Sequence, residues 1–171
     1  MKRNLLIALA LLIPVVIAGC ILSGTMVFHF NLTGGWISNG SLQTRHVDLS
    51  ENSDFNDNKD KLKSIDAIVI VGDVINLGSE DLTAQVYISD NQYTTPAQVE
   101  ANATRIFVSP SVPANDTLHL DWTDGLSHME NLSAIEDQVK GDGQFYVYAI
   151  SSSATGIVYD LHLIATITVG K

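Results

Sequence analysis

Near the end of the chain, Ile157, Tyr159, Leu161, Leu163, Ala165, Ile167 and Val169 occupy alternate positions, with Asp160, His162, Thr166 and Thr168 between them. A two-residue period kept over that length fits an extended strand with one buried face, whereas a helix repeats its apolar face every 3.6 residues. A long strand of this kind is expected to lock a sheet by pairing with the strand before it. That neighbour is read at Gln144 to Ser152, where Phe145, Val147 and Ala149 alternate with Tyr146, Tyr148 and Ile150.

The same pattern recurs upstream. Met26, Phe28, Phe30 and Leu32 alternate with Val27, His29 and Asn31, and a second extended run covers Leu42 to Leu49. Asp66 to Asn76 is nearly continuous apolar sequence, as a strand covered on both faces requires, with a bulge expected at Gly72-Asp73. The turn Asn76-Leu77-Gly78-Ser79 and the alternating Leu82, Ala84, Val86 and Ile88 predict a hairpin with that strand. Arg105 to Ser109 and Thr117 to Trp122 predict another pair. Turn chemistry also marks Thr33-Gly34-Gly35, Ser38 to Ser41 and Ser153 to Gly156. Two short helices are expected. One is capped by Ser53, with Phe55, Leu62 and Ile65 on a stripe; the other runs from Ser127 to Lys140, with Gly141 ending it. The sum is a mainly β chain, an antiparallel β-sandwich with two short helices, in one domain over 25–171.

The amino end is of another kind. Lys2 and Arg3 precede an apolar run from Leu5 to Ala18, and Ile17-Ala18-Gly19-Cys20 closes it, the three-part plan of an export signal. Those four residues resemble the lipobox of bacterial lipoproteins, and the resemblance covers the signal alone. It implies a signal peptide over 1–19, cleavage before Cys20, and lipid on the sulfur and then on the new amino end. Residues 20–24 would be the lipidated cysteine and a short tether. Two alternatives are an ordinary cleaved signal with an incidental cysteine and an uncut membrane helix over Leu5 to Leu22, which Pro14 weakens. Cys20 is the only cysteine in 171 residues, so lipidation is the preferred reading and the domain has no disulfide to make. Ile21 stands where an aspartate would resemble an inner-membrane retention signal, which favours the outer membrane, facing the periplasm, in a host that has one. Strand, Asn-x-Gly turn, strand and a later Pro-led strand ending in Trp122 also resemble immunoglobulin-like modules of bacterial envelope proteins. That resemblance spans Asp66 to Trp122 and implies an immunoglobulin-like sandwich.

Removing residues 1–19 leaves 152 residues and takes the formal charge from −10 to −12, since Lys2 and Arg3 are lost. So acidic a body argues against nucleic acid and against lying flat on anionic lipid.

Candidates for chemistry are few. Asp54, Asn56, Asn58 and Asp60 have the spacing that opens a calcium loop. Lys59 and Ile65, however, stand where such a loop needs glycine and glutamate, and a solvated helix is preferred. His29, His46, His119, His128 and His162 are scattered, though sheet neighbours could join two of them with Asp121 or Asp160. Asp121, Asp124 and Glu130 are read as turn formers and helix-end charges. Trp36, Trp122, Tyr93, Tyr146 and Tyr148 are candidates for a platform that stacks sugars or a partner. Asn31, Asn39, Asn102, Asn115 and Asn131 head glycosylation sequons that matter only in a host that uses them. No catalytic signature appears, and no cofactor or metal is expected. The expected function is a structural or interaction module of the envelope, held to the membrane through lipid on Cys20, with an envelope protein or glycan as partner. The alternative is a solute- or glycan-binding lipoprotein.

Overall fold

The alternating run forms the strand β9 (Ile157–Gly170), with Ile157, Tyr159, Leu161, Leu163, Ala165 and Ile167 all buried. The computed structural model describes residues 23–32, 36–38, 42–152 and 157–170. There the chain is mainly β, with two antiparallel sheets and a few short helices. β9 pairs with β1 (Ser23–Asn31) and the short β2 (Trp36–Ser38) along one edge and with β4 (Leu62–Asn76) along the other. β7 (Thr117–Leu120) pairs with the far side of β4. The second sheet runs in the order β3 (Leu42–Asp48), β8 (Gln144–Ser151), β5 (Ala84–Ser89), β6 (Thr104–Val108). Cys20 and the turns expected at 33–35, 39–41 and 153–156 lie outside the described residues.

The pairings are mostly long-range. β1 lies against β9, β3 against β8, β4 against β7, and β5 against β6, as though the chain were one doubled ribbon. The ribbon is then rolled, so that β9 meets β4 and β8 meets β5. This corrects three sequence expectations. β9 pairs with β1 and β4, not with the strand before it; β4 and β5 form no hairpin, and neither do β6 and β7. In each case the connection crosses from one sheet to the other. The immunoglobulin-like order is not found either: that order sets consecutive strands side by side in both sheets, and here only β5 and β6 are consecutive partners among the described strands. The bulge expected at Gly72-Asp73 is also displaced. Register against β9 is unbroken from Ala67 to Asn76, and the shifts fall between Leu62 and Ser64 and between Ile65 and Ala67.

One hydrophobic cluster joins the facing sides of the two sheets. Phe28, Ile68, Ile70 and Leu163 of the first meet Val86, Ile88, Phe145 and Val147 of the second. Each such side chain contributes about 1.5–3 kcal/mol when removed from water. Helix α1 (Ser53–Asn58) begins where expected but stops short of Leu62 and Ile65, which belong to β4, and Asn52 caps it, its side chain accepting from the Phe55 N–H at 3.0 Å. Phe55 is thereby set edge-on to Phe28 and Phe30, with ring centres 5.9 and 6.5 Å away. Helix α2 (Pro96–Asn102), about two turns that bury only Val99, is additional to the two helices expected. The helix expected over Ser127 to Lys140 is two helices, α3 (Trp122–Ser127) and α4 (Leu132–Lys140). Asn131, with φ 49°, and the bridge between Met129 and Phe107 separate them. Gly141 ends α4 as expected, its N–H donating to the Asp137 carbonyl at 2.9 Å. No helix among the described residues is long and apolar enough to cross a membrane.

Tyr159 faces the core, and burial pushes its phenol up to about 12, against a weaker opposing hydrogen bond with Ser151. The unfolded chain releases this proton near pH 10, so unfolding gains favour as pH rises from about 10 to 12. The stabilising contribution is therefore complete below about pH 10 and lost through about 12. Urea melts of Tyr159→Phe across that range should show a shallower fall of midpoint with pH than the parent. Equal slopes would contradict this.

Candidate binding groove

The outward face of the second sheet gathers three of the five aromatic residues singled out in the sequence. Tyr146 and Tyr148 lie two apart on β8 and so point the same way, and Tyr93 folds over from the segment after β5. Register sets His46 of β3 opposite Tyr146. The rings form a row: His46 to Tyr146 at 4.9 Å, Tyr146 to Tyr148 at 6.4 Å, and Tyr148 to Tyr93 at 6.0 Å. Tyr148 is fully buried in a second, smaller cluster with Tyr87, Val99 and Ile150. Its hydroxyl donates to the Asn91 carbonyl at 2.7 Å and accepts from the Tyr93 N–H at 2.8 Å. Burial raises its pKa. Tyr148 is therefore structural, and the row opens only at Tyr146 and His46. Trp122 stands apart at the start of α3, 39% exposed. Trp36 contributes backbone pairing to Tyr159, and its side chain lies outside the described set.

Over the open end lies a groove of about 490 Å³. Its floor is His46 and Tyr146, and its walls come from Asp90 after β5, Asp137 and Gln138 on α4, and Asp142 and Gln144 at the turn into β8. The Gln138 amide donates to Asp90 at 2.6 Å, and the Gln144 N–H donates to Asp142 at 2.9 Å, which fixes both carboxylates. The Gln144 side chain donates to Asp48 at 3.3 Å. Asp48 itself accepts from the hydroxyl and N–H of Ser50, and these bonds hold it below the usual carboxylate range. A smaller opening of about 290 Å³, shared by His29, Arg45, His46 and Glu51, lies where β1 and β3 face each other.

The outward face of the first sheet brings histidines and carboxylates together, as the sequence allowed. His29 stacks on His162 with centres 4.7 Å apart, and His162 Nε2 lies 3.3 Å from Asp160. Asp73 is opposite both Asp160 and His119, and His119 Nδ1 is 2.7 Å from it. Asp121 is not part of this row; it caps α3, accepting from the Asp124 N–H at 2.9 Å. The His119 side chain is 77% exposed, so its contact with Asp73 is a solvated surface hydrogen bond of small worth. Glu130 pairs with Arg105 at 2.9 Å. Asp54, Asn56, Asn58 and Asp60 lie along α1 and the 3-10 turn after it, where residues two apart diverge around the axis. Among the described residues no group of three or more His, Cys, Asp or Glu could hold a metal ion.

The sequence missed Asp90, Asp137, Gln138 and Asp142 as neighbours because β5, α4 and the β8 turn meet only in the fold. No protein-family model matches the chain, and no curated protein does. Its structure is similar to a chain from Desmodium yellow mottle tymovirus, at 13% identity and a TM-score of 0.39, over 87% of this chain and 88% of that one. It is also similar to a chain from turnip yellow mosaic virus, at 9% identity and a TM-score of 0.43, over 88% of this chain and 81% of that one.

Proposed function

We propose that this is a lipid-anchored envelope protein whose β-sandwich, wound as a jelly roll, binds a partner at the membrane without catalysis. The doubled and rolled strand order supports the jelly-roll reading over the immunoglobulin-like one. The anchor reading is carried by the position of Cys20 at the end of the apolar run, three residues before β1 begins at Ser23. At about 3.5 Å per extended residue that spacing spans roughly 10 Å, so the body rests against the bilayer instead of riding on a stalk. One acyl chain binds a membrane only marginally, whereas two or three hold it firmly. The acidic body adds no attraction to anionic lipid, which leaves the lipid on Cys20 to do the holding. The outer membrane is the proposed location where the host has one.

Mass spectrometry of the native protein tests this. The expected product begins at Cys20 and carries the mass of a diacylglyceryl group, and Cys20→Ser should move from the detergent-rich to the aqueous phase. A bare thiol, or a mature chain starting elsewhere, would falsify the anchor. A second reading, binding of a glycan, is favoured by one observation, the groove floored by Tyr146 and His46.

A further inference from the structure

We propose that the groove over Tyr146 takes a short saccharide bearing a free ammonium group. The inference rests on reading the chain as a binding module and is independent of the lipid anchor. A volume of about 490 Å³ suits two or three sugar rings. The floor supplies what sugar rings stack on: the half-buried Tyr146 ring, steadied by His46 on one side and by buried Tyr148 on the other. The walls supply acceptors for hydroxyls and for a cation. Asp90 and Asp142 are each held through one oxygen by Gln138 and by the Gln144 N–H, so the other oxygen of each remains available. Asp137 makes no side-chain hydrogen bond among the described residues and completes the set.

Charge decides which saccharide. Three carboxylates line the groove and no Lys or Arg does, so its field repels uronates, sialates and sugar phosphates and attracts an ammonium group. A neutral sugar has the stacking surface and the hydroxyl acceptors but no charge. An amino sugar has all of these and the charge.

The test is calorimetric titration of the full chain in detergent with three probes: the glucosamine trimer, the N-acetylglucosamine trimer and the galacturonic acid trimer. The glucosamine trimer should bind about tenfold tighter than the acetylated one, the advantage should shrink at high salt, and the uronate should not bind. Tyr146→Ala should weaken both binding trimers about tenfold or more, and Tyr146→Phe should restore them. Asp137→Asn should reduce the amine preference by about two- to threefold while leaving the acetylated trimer unaffected, and Asp54→Asn on α1, outside the groove, should leave the preference intact. Equal affinity for the amine and acetyl forms would overturn the ammonium assignment and leave a glycan-binding module standing. Binding of the uronate, or a Tyr146→Ala protein that melts normally and binds as before, would overturn the groove as the site. Absence of binding by all three would overturn the saccharide assignment, whereas the anchor is decided separately by the mass of the amino end.

Discussion

Gly72→Ala should unfold the domain or leave it about 4 kcal/mol or more less stable, measured as the denaturant midpoint of the purified chain. Gly72 sits within β4, between Leu120 of β7 and Leu161 of β9, with φ 120°. Side-chain-bearing residues reach that conformation only at a cost of about 1–3 kcal/mol. The space is also closed. A methyl group there would sit 2.0 Å from the Asp160 carbonyl oxygen and 3.3 Å from the Leu161 Cα, both backbone atoms of the paired strand. No rotamer change relieves this, so β4 and β9 would have to part at the centre of the larger sheet. Gly24→Ala is the control: Gly24 is also in a strand, has no heavy atom within 4 Å of its would-be methyl, and should change stability by less than about 0.5 kcal/mol. Similar losses at both positions would contradict the close approach at Gly72.

Asn76→Leu should cost about 3 kcal/mol although it preserves the size of the side chain. Asn76 ends β4, is 0% exposed, and is one of three buried polar or charged residues among those described. Its Nδ2 donates to the carbonyls of Glu80, Val112 and Pro113 at 2.8, 3.0 and 3.0 Å, and its Oδ1 accepts from the Gly78 N–H at 2.9 Å. One side chain thus ties together two of the connections that cross between the sheets, β4 to β5 and β6 to β7, which also pair through Leu82 and Val112. Leucine would leave the buried Gly78 N–H and the part-buried Glu80 carbonyl without these partners, and a buried group left so costs about 1–3 kcal/mol. Hydrogen exchange should report lost protection at the Leu82 and Val112 amides, whose mutual bonds are 3.0 and 2.7 Å. An unchanged melt together with unchanged exchange at those amides would show that the amide of Asn76 is not the tie described.

The turn read at Asn76-Leu77-Gly78-Ser79 illustrates how far local signals reach. The residues do turn the chain, and Asn76 does bond to Gly78. A turn that closes a hairpin and a turn that carries the chain to a facing sheet use the same residue types, because both need only a reversal with satisfied backbone groups. The difference lies in Val112, Pro113 and Asp116, some forty residues on, which receive the bonds. The groove has the same character. Tyr146 and Tyr148 announce a shared face by their spacing, but whether that face is open or covered depends on α2 and the Tyr93 segment. Those elements bury Tyr148 and leave Tyr146 uncovered.

By itself the sequence determined the strands and their faces: the buried side of β9, the alternation of β1 and the start of α1 near Phe55. Side-chain direction in a strand depends on the residue's own position alone, so a single stretch is enough to read it. Which strand lies beside which, and therefore which carboxylates meet Tyr146, was decided only by tertiary structure. Backbone hydrogen bonds are alike for every strand, so partner choice falls to the fit of distant apolar faces and to buried ties such as Asn76.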